Sequence, residues 1–231
     1  MIQIRILYQD DDLIIVDKPT GIQVHPPERA TPGTKVLQEH MVKNLRLQTG
    51  KYIYPVHRLD RATSGVMVFA FSSEVAALLQ GQFQNRVVEK KYVALVRGWF
   101  YREGSFVDDD GSETYFSLIH QFSLPEPVGK FSQARYSLVL AKPLTGKYHQ
   151  IRRHLKSQSH PIVGDTVYGD GKHNQLWRRL APSSGLYLKA YSLVLNHPIT
   201  GATLFERSRW GKHWHRAFDL GGFCPILSGS R

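Results

Sequence analysis

Ser64-Gly-Val-Met-Val-Phe-Ala-Phe71 is an almost unbroken apolar run that stops at Ser72-Ser73-Glu74. A run of this length and composition reads as a strand buried on both faces. The period then changes. Val75, Leu78, Leu79 and Phe83 recur at helical spacing, and Ser73 followed by Glu74 opens a helix that the pattern carries to about Asn85. From Lys90 to Val96 the residues alternate again, as in a strand that closes at Arg97-Gly98.

Working outward, Arg5-Ile-Leu-Tyr8 and Leu13-Ile-Ile-Val16 flank the polar turn Gln9-Asp-Asp-Asp12 and read as a hairpin. Lys18-Pro-Thr-Gly21 ends the second strand in a loop, and Thr34 is placed to cap a helix running to about Leu47. On the other side, the polar stretch from Glu103 to Lys130 reads as a long excursion with a short strand from Tyr115 to Phe122. Ala134, Tyr136, Leu138 and Leu140 mark a half-buried strand, and His149 to Gln158 a basic helix. Leu186 to Leu195 and Ala202 to Glu206 are the last strands, separated by the turn His197-Pro-Ile-Thr-Gly201. The aromatic tail from Trp210 to Arg216 is expected to pack at the domain edge. Strands outnumber helices without alternating regularly with them. That defines an α+β class with a mixed, mostly antiparallel sheet and flanking helices.

The chain has 231 residues, 42% of them apolar, which suffices for one core and one domain over residues 1–231. A lone cysteine, Cys224, excludes an internal disulfide framework and fits a reducing compartment. No window approaches the roughly 20 apolar residues of a membrane span, and Met1 to Tyr8 lacks the features of a signal peptide. A soluble cytoplasmic chain with no membrane partner is expected, with monomer as the default state. The net charge is +11. Between Lys142 and Lys189 there are nine Lys/Arg and only two acids, Asp165 and Asp170, so +7 of the +11 lies in about a fifth of the chain. Tyr148, His149, His154, Tyr168 and Trp177 interleave with these charges. Concentrated basic charge with aromatics points to a nucleic-acid partner; a solvated basic face is the plainer alternative.

Three clusters carry candidate chemistry. In Val56-His-Arg-Leu-Asp-Arg-Ala-Thr-Ser-Gly65, Asp60 is flanked by Arg58 and Arg61, whose charge favours its ionised form. Such a carboxylate serves as nucleophile or base, or simply as half of a structural ion pair. Thr145-Gly-Lys-Tyr-His-Gln-Ile-Arg-Arg-His154 makes a turn and then a basic run, in which Arg152 or Arg153 can grip a carboxylate or phosphate with two donors. Tyr92, in Lys91-Tyr-Val-Ala-Leu-Val-Arg-Gly98, is either core or a ring that stacks on a base. His149 and His154 are five apart, off the spacing that puts two ligands on one helical face, so no metal site is expected.

Taken together, these clusters resemble the pseudouridine synthases that modify ribosomal and transfer RNA. Ile14-Ile-Val-Asp-Lys-Pro-Thr-Gly-Ile-Gln-Val-His-Pro26 resembles the first motif of that family, and His57-Arg-Leu-Asp-Arg-Ala-Thr-Ser-Gly65 its catalytic motif. The Lys91–Gly98 strand, Thr145 to Arg152 and His160-Pro-Ile-Val-Gly-Asp165 follow in the family's order. The doubled arginine at 152–153 and Gly169-Asp-Gly-Lys-His-Asn174 resemble the branch that acts on uridine 65 of transfer RNA.

The resemblance implies a pseudouridine synthase fold around a basic central cleft, with no accessory RNA-binding module before Ile4. It implies an isomerase that needs no metal or organic cofactor. Asp60 would be the nucleophile or base that initiates glycosidic cleavage, Arg152 its charged partner, and Tyr92 the stacking and proton-handling ring. Arg58 would fill the gap left by a flipped nucleotide, and Ile151 would pack on the base. His57, Arg61, Lys91, His149 and Arg153 complete the RNA-contacting set. The rival readings are a synthase acting on ribosomal RNA or on both RNAs, a catalytically silent RNA-binding protein, and a basic nuclease. The nuclease lacks the paired carboxylates that such chemistry uses.

Overall fold

The computed structural model describes residues 2–25, 39–182 and 185–225. These form two compact units, Met1–Tyr92 with Lys189–Arg209, and Val93–Leu188 with Trp210–Arg231. Ten strands and five helices are found among the described residues.

In the first unit, β1 (Arg5–Gln9) and β2 (Leu13–Lys18) form the expected hairpin, bulged between Ile6 and Tyr8. Asp10 closes its turn. One carboxylate oxygen accepts from the Asp12 and Leu13 N–H groups, the other from the Tyr8 hydroxyl and from His197 Nε2. The opening apolar run is β4 (Ser64–Ala70), buried at every position. It pairs antiparallel with β2 and with the short β3 (Tyr54–Pro55). On its other side it pairs parallel with β9 (Leu188–Asn196), which carries β10 (Thr203–Arg207) antiparallel. Helix α1 (Met41–Thr49) covers one face with Met41, Val42 and Leu45; α2 (Ser73–Gln84) covers the other with Val75, Ala76 and Leu79.

Helix α1 begins later than the sequence suggested. Its N-cap is His40, whose Nδ1 accepts from the Lys43 N–H; Thr34 lies outside the described residues. Helix α2 opens at Ser73 as expected, capped by Ser72, whose Oγ accepts from the Val75 N–H.

Strand β5 (Glu89–Arg97) runs from the first unit into the second, where the strand order continues β8 (Ala134–Pro143), β7 (Glu113–Leu124), β6 (Gly104–Val107). The expected loop-like excursion is thus mostly hairpin, and β7 is the longest strand among the described residues. Its outer face carries Glu113, Tyr115, Ser117 and Ser123, and a bulge between Leu118 and His120 breaks its alternation. The predicted basic helix is α3 (Gln150–Ser157).

Two helices add to the sequence reading. Helix α4 (Gly171–Leu180) is capped by Asp170, and α5 (Lys212–Gly221) turns the aromatic tail into a packed element. Trp214 is fully buried against Tyr187, and Trp177 packs on the other side of that ring.

Candidate active site

Asp60 lies in the turn between β3 and β4, half-buried, with the Thr63 N–H donating to its backbone carbonyl at 3.0 Å. The Lys18-Pro-Thr-Gly21 loop grips this turn along its length. Gly21 N–H donates to the Arg61 carbonyl (2.8 Å), and Arg61 Nε returns a bond to the Gly21 carbonyl (2.9 Å). Thr20 Oγ1 donates to the Ala62 carbonyl at 2.7 Å.

Lys18 is completely buried, and its Nζ donates to the carbonyls of Pro19 (3.0 Å), Arg61 (3.2 Å) and Thr63 (2.7 Å). Three acceptors match the three protons of an ammonium, whereas a neutral amine has only two. Burial pushes the Lys18 pKa down to about 7, against the opposing pull of the Asp60 charge. Lys18 was legible in the first motif but was not singled out as a site residue. Its signal is a lysine two residues past the apolar run Leu13-Ile-Ile-Val16, where a charge that continues the strand inward needs something to meet it.

Lys18→Met removes the desolvation cost of a buried cation but takes this donor from the Pro19 and Thr63 carbonyls, while the Arg61 carbonyl keeps the Gly21 N–H. These effects partly cancel, so a stability loss of roughly 1–3 kcal/mol is expected. Turnover should fall about a hundredfold, because small displacements of a reacting carboxylate are costly. Thermal melts and single-turnover rates check this, and a wild-type rate would show that the clamp does not position Asp60.

Tyr92 packs against the core cluster that contains Leu59, Ile22 and Met67. Burial first, and then the Asp60 charge, raise its phenol pKa well above the ordinary value, so the ring is neutral at physiological pH. Lys91 extends from the same strand into an ion pair with Glu89 at 2.9 Å.

His57 is turned to the interior side of its segment. Its ring stacks on Phe83 of α2 with centroids 4.7 Å apart, and its Nε2 accepts from the Val68 N–H at 3.2 Å. That bond requires the neutral ring protonated on Nδ1. Burial, with Lys90 nearby, lowers the pKa to about 3. Because the folded value lies below the ordinary 6.5, the folded state binds fewer protons than the unfolded chain between these limits. Stability is therefore complete above about pH 6.5 and is lost as pH falls towards 3. His57→Gln, which keeps an acceptor for Val68, should flatten part of the pH dependence of urea-unfolding free energy between pH 6.5 and 4. An unchanged slope would assign that proton uptake to the other lowered histidines, His40, His154, His160 and His173.

In the second unit, Arg152 is buried on α3 and forms a two-point ion pair with Asp165, from Nε (2.7 Å) and Nη2 (2.9 Å). Asp165 also accepts from the Val167 and Tyr168 N–H groups, and these donors hold its carboxyl below the usual range despite burial. Asp165 was visible as one of two acids in the basic segment; an acid isolated among nine cations is the place to look for an arginine's partner. Arg153 reaches Asp110 (2.7 Å) and Asp108 (3.5 Å). His149 occupies a left-handed conformation ahead of α3 (φ 52°), its ring stacked on Tyr148 at 3.7 Å and its Nδ1 3.3 Å from the Tyr168 hydroxyl. Ile151 is buried on the same helix, whereas Arg58 and Arg61 are exposed beside Asp60. The basic segment is thus not all surface: Arg152 and Lys189 are buried.

Comparison with known proteins gives the arrangement its class. The fold is shared with the human RNA Pseudouridylate Synthase Domain Containing 1 (TM-score 0.67, 22% identity, 90% of this chain and 84% of that one). It is also shared with Domain Containing 4 of the same series (TM-score 0.65, 23% identity, 94% and 92%). Residues 12–157 match the family described as RNA pseudouridylate synthase. Among curated relatives, the tRNA pseudouridine synthase C of Vibrio parahaemolyticus serotype O3:K6 is 38% identical over 236 residues, covering 94% of each chain. Those of Vibrio cholerae serotype O1 and Pasteurella multocida are 38% and 41% identical, over 97% and 85% of this chain and 98% and 87% of theirs. The chain belongs to the RNA pseudouridylate synthase family, and it is accordingly an isomerase acting on uridine in RNA. Among the described residues, no helix is long and apolar enough to cross a membrane.

Proposed function

We propose that this chain converts one uridine of transfer RNA, at position 65 in the T-arm stem, to pseudouridine. The observation that carries the reading is the Asp60 turn, held by Lys18, Thr20 and Gly21 beside a neutral Tyr92, in a chain whose full-length relatives are named for tRNA.

The target uridine has to leave its stack, at a cost of a few kcal/mol that RNA binding offsets. Asp60 initiates cleavage of the bond between N1 of the base and C1′ of the ribose, as nucleophile or as base. The freed uracil rotates and rejoins C1′ through C5; the C5 proton is then lost and N1, released from C1′, takes up a proton in its place. No atom enters or leaves overall, so the balance needs no co-reactant. Arg152 takes the part of charged partner to the reacting carboxylate that the family resemblance gives it, its guanidinium oriented from Nε and Nη2 by Asp165. Tyr92 stacks on the uracil. A neutral phenol suits that role and donation to a developing oxyanion, whereas accepting the C5 proton would require its scarce phenolate form. Arg58 and Arg61, exposed on either side of Asp60, face the RNA.

Pseudouridine mapping of total tRNA and ribosomal RNA, incubated with wild type and with Asp60→Asn, tests the proposal. A single new site in the T-arm stem, absent with the variant, is the expected result. A site only in ribosomal RNA would keep the chemistry and discard the substrate. No site in either RNA, with binding intact, would favour the silent RNA-binding reading.

A further inference from the structure

The second unit contains a cavity of about 440 Å³ that shares no residue with the Asp60 turn or with Tyr92. Its walls come from the β7–β8 connection, from Asp170, Lys172 and His173 at the start of α4, and from the end of β5. One wall is a two-residue turn at the tip of the β7–β8 connection. Val128 and Phe131 exchange backbone hydrogen bonds (3.0 and 3.2 Å), and Gly129 takes φ 62°. That turn presents Phe131, 60% exposed, and leans on Lys172: a Cβ at Gly129 would lie 3.6 Å from Lys172 Nζ. Trp99, at the end of β5, and Arg135, on β8, line another side.

The charges in the cavity do not balance. Arg97, Lys130, Arg135 and Lys172 line it together with one carboxylate, Asp170. Asp170 is already committed, one oxygen to Arg97 Nη1 at 2.6 Å and the other to the N–H groups of Lys172 and His173. Lys130, Arg135 and Lys172 have no carboxylate partner among the described residues. Two of these cations stand over rings instead, Lys130 Nζ 5.6 Å from the Phe131 centroid and Arg135 Cζ 5.8 Å from that of Trp99.

Three uncompensated cations beside two accessible aromatic faces, in a concavity within the roughly 300–1,000 Å³ of small-molecule sites, match the two halves of a nucleotide. We propose that this pocket holds an unpaired nucleotide of the RNA substrate other than the uridine that is isomerised. Its base stacks on Phe131 or Trp99, and its phosphate lies between Lys130 and Lys172. A paired base would not enter, because its faces are covered by its neighbours in the helix. Stacking of this kind tolerates any base, so the pocket adds affinity and register and leaves sequence choice to other contacts. The inference rests on the chain's action on RNA. An acidic peptide would satisfy the cations but leave the exposed ring faces without a partner of matching shape.

The test uses the full-length protein and an unmodified tRNA transcript, comparing wild type with Phe131→Ala and with the double variant Lys130→Ala/Lys172→Ala. Phe131 and both lysines are exposed, so the variants should fold. Phe131→Ala is expected to weaken RNA binding about tenfold. The lysine double variant should weaken it comparably and lower the slope of log K against log salt by about 1–2. Photo-crosslinking of a 4-thiouridine-substituted transcript should place an adduct on a peptide containing Trp99 or Phe131. Affinities within twofold of wild type for both variants, without such an adduct, would overturn the proposal and leave the pocket to a protein partner or to none. Pseudouridine formation by wild type on the same transcript separates the two readings. If it is absent, the tRNA assignment fails, while binding and crosslinking still decide the pocket.

Discussion

Asp60→Asn should stop pseudouridine formation, lowering single-turnover rate by about 10⁴-fold or more, while RNA affinity stays within a few-fold of wild type. The substitution keeps shape and takes away charge and basicity. It leaves the backbone of the turn untouched, since the 60–63 hydrogen bond is made by the Asp60 carbonyl and the grip of Lys18, Thr20 and Gly21 falls on residues 61–63. Folding is therefore expected to survive, with one second-order change: without the Asp60 charge the Lys18 ammonium loses the interaction that opposes its desolvation. Rates over a pH series, beside a melt of the variant, check both. Turnover within tenfold of wild type would remove Asp60 from the chemistry altogether, because an amide is neither a competent nucleophile nor a base at neutral pH.

Gly65→Ala should unfold the protein or lower its melting temperature by roughly 10–15 °C, corresponding to about 4–5 kcal/mol. Gly65 has φ 123°, outside the ordinary range of any residue with a Cβ. An added Cβ would lie 2.0 Å from the Ala190 carbonyl oxygen, 2.6 Å from its carbon and 2.8 Å from its nitrogen. All three are backbone atoms of a strand in parallel register with β4, Ser64 opposite Lys189 and Gly65 opposite Ala190. Relief would require the two strands to separate immediately after the Asp60 turn. Gly50→Ala is the comparison. It too has positive φ (69°), but nothing lies within 4 Å of an added Cβ, so a loss of only about 1 kcal/mol is expected. Equal melting temperatures for the two variants would show that the β4–β9 approach is not tight.

The sequence made the fold legible wherever strands were buried on both faces. Leu13–Val16 and Ser64–Phe71 are apolar runs ended by turn residues, Leu186–Leu195 is apolar at most positions, and each became a strand within two residues of its expected bounds. It was opaque where burial was one-sided or supplied late. Strand β7 exposes Tyr115, Ile119 and Ser123 and is bulged, so alternation fails over its centre. Helix α4 buries only Leu176 and Trp177 of its ten residues, too few for a period, although Asp170 stood as a cap. For the site, charge pattern and resemblance singled out Asp60, Tyr92 and Arg152. They did not reveal that Arg152 and Asp165 are buried partners, or that His57 accepts from the Val68 N–H. Such pairings depend on which side chains point inward, which spacing does not encode.

The close approach of Gly65 to Ala190 also sets an order of assembly. Residue 190 lies 125 positions beyond residue 65, so a chain emerging from the ribosome has the whole Asp60 turn and its Lys18 clamp available long before β9 exists. Parallel pairing between strands so distant in sequence is slow and comes late. Until it forms, the apolar residues of β4 lack one of their neighbours, and the half-built protein presents a strand edge in the interval. Activity therefore waits on the synthesis of β9, and that interval is where a partly made chain is most exposed to aggregation and proteolysis.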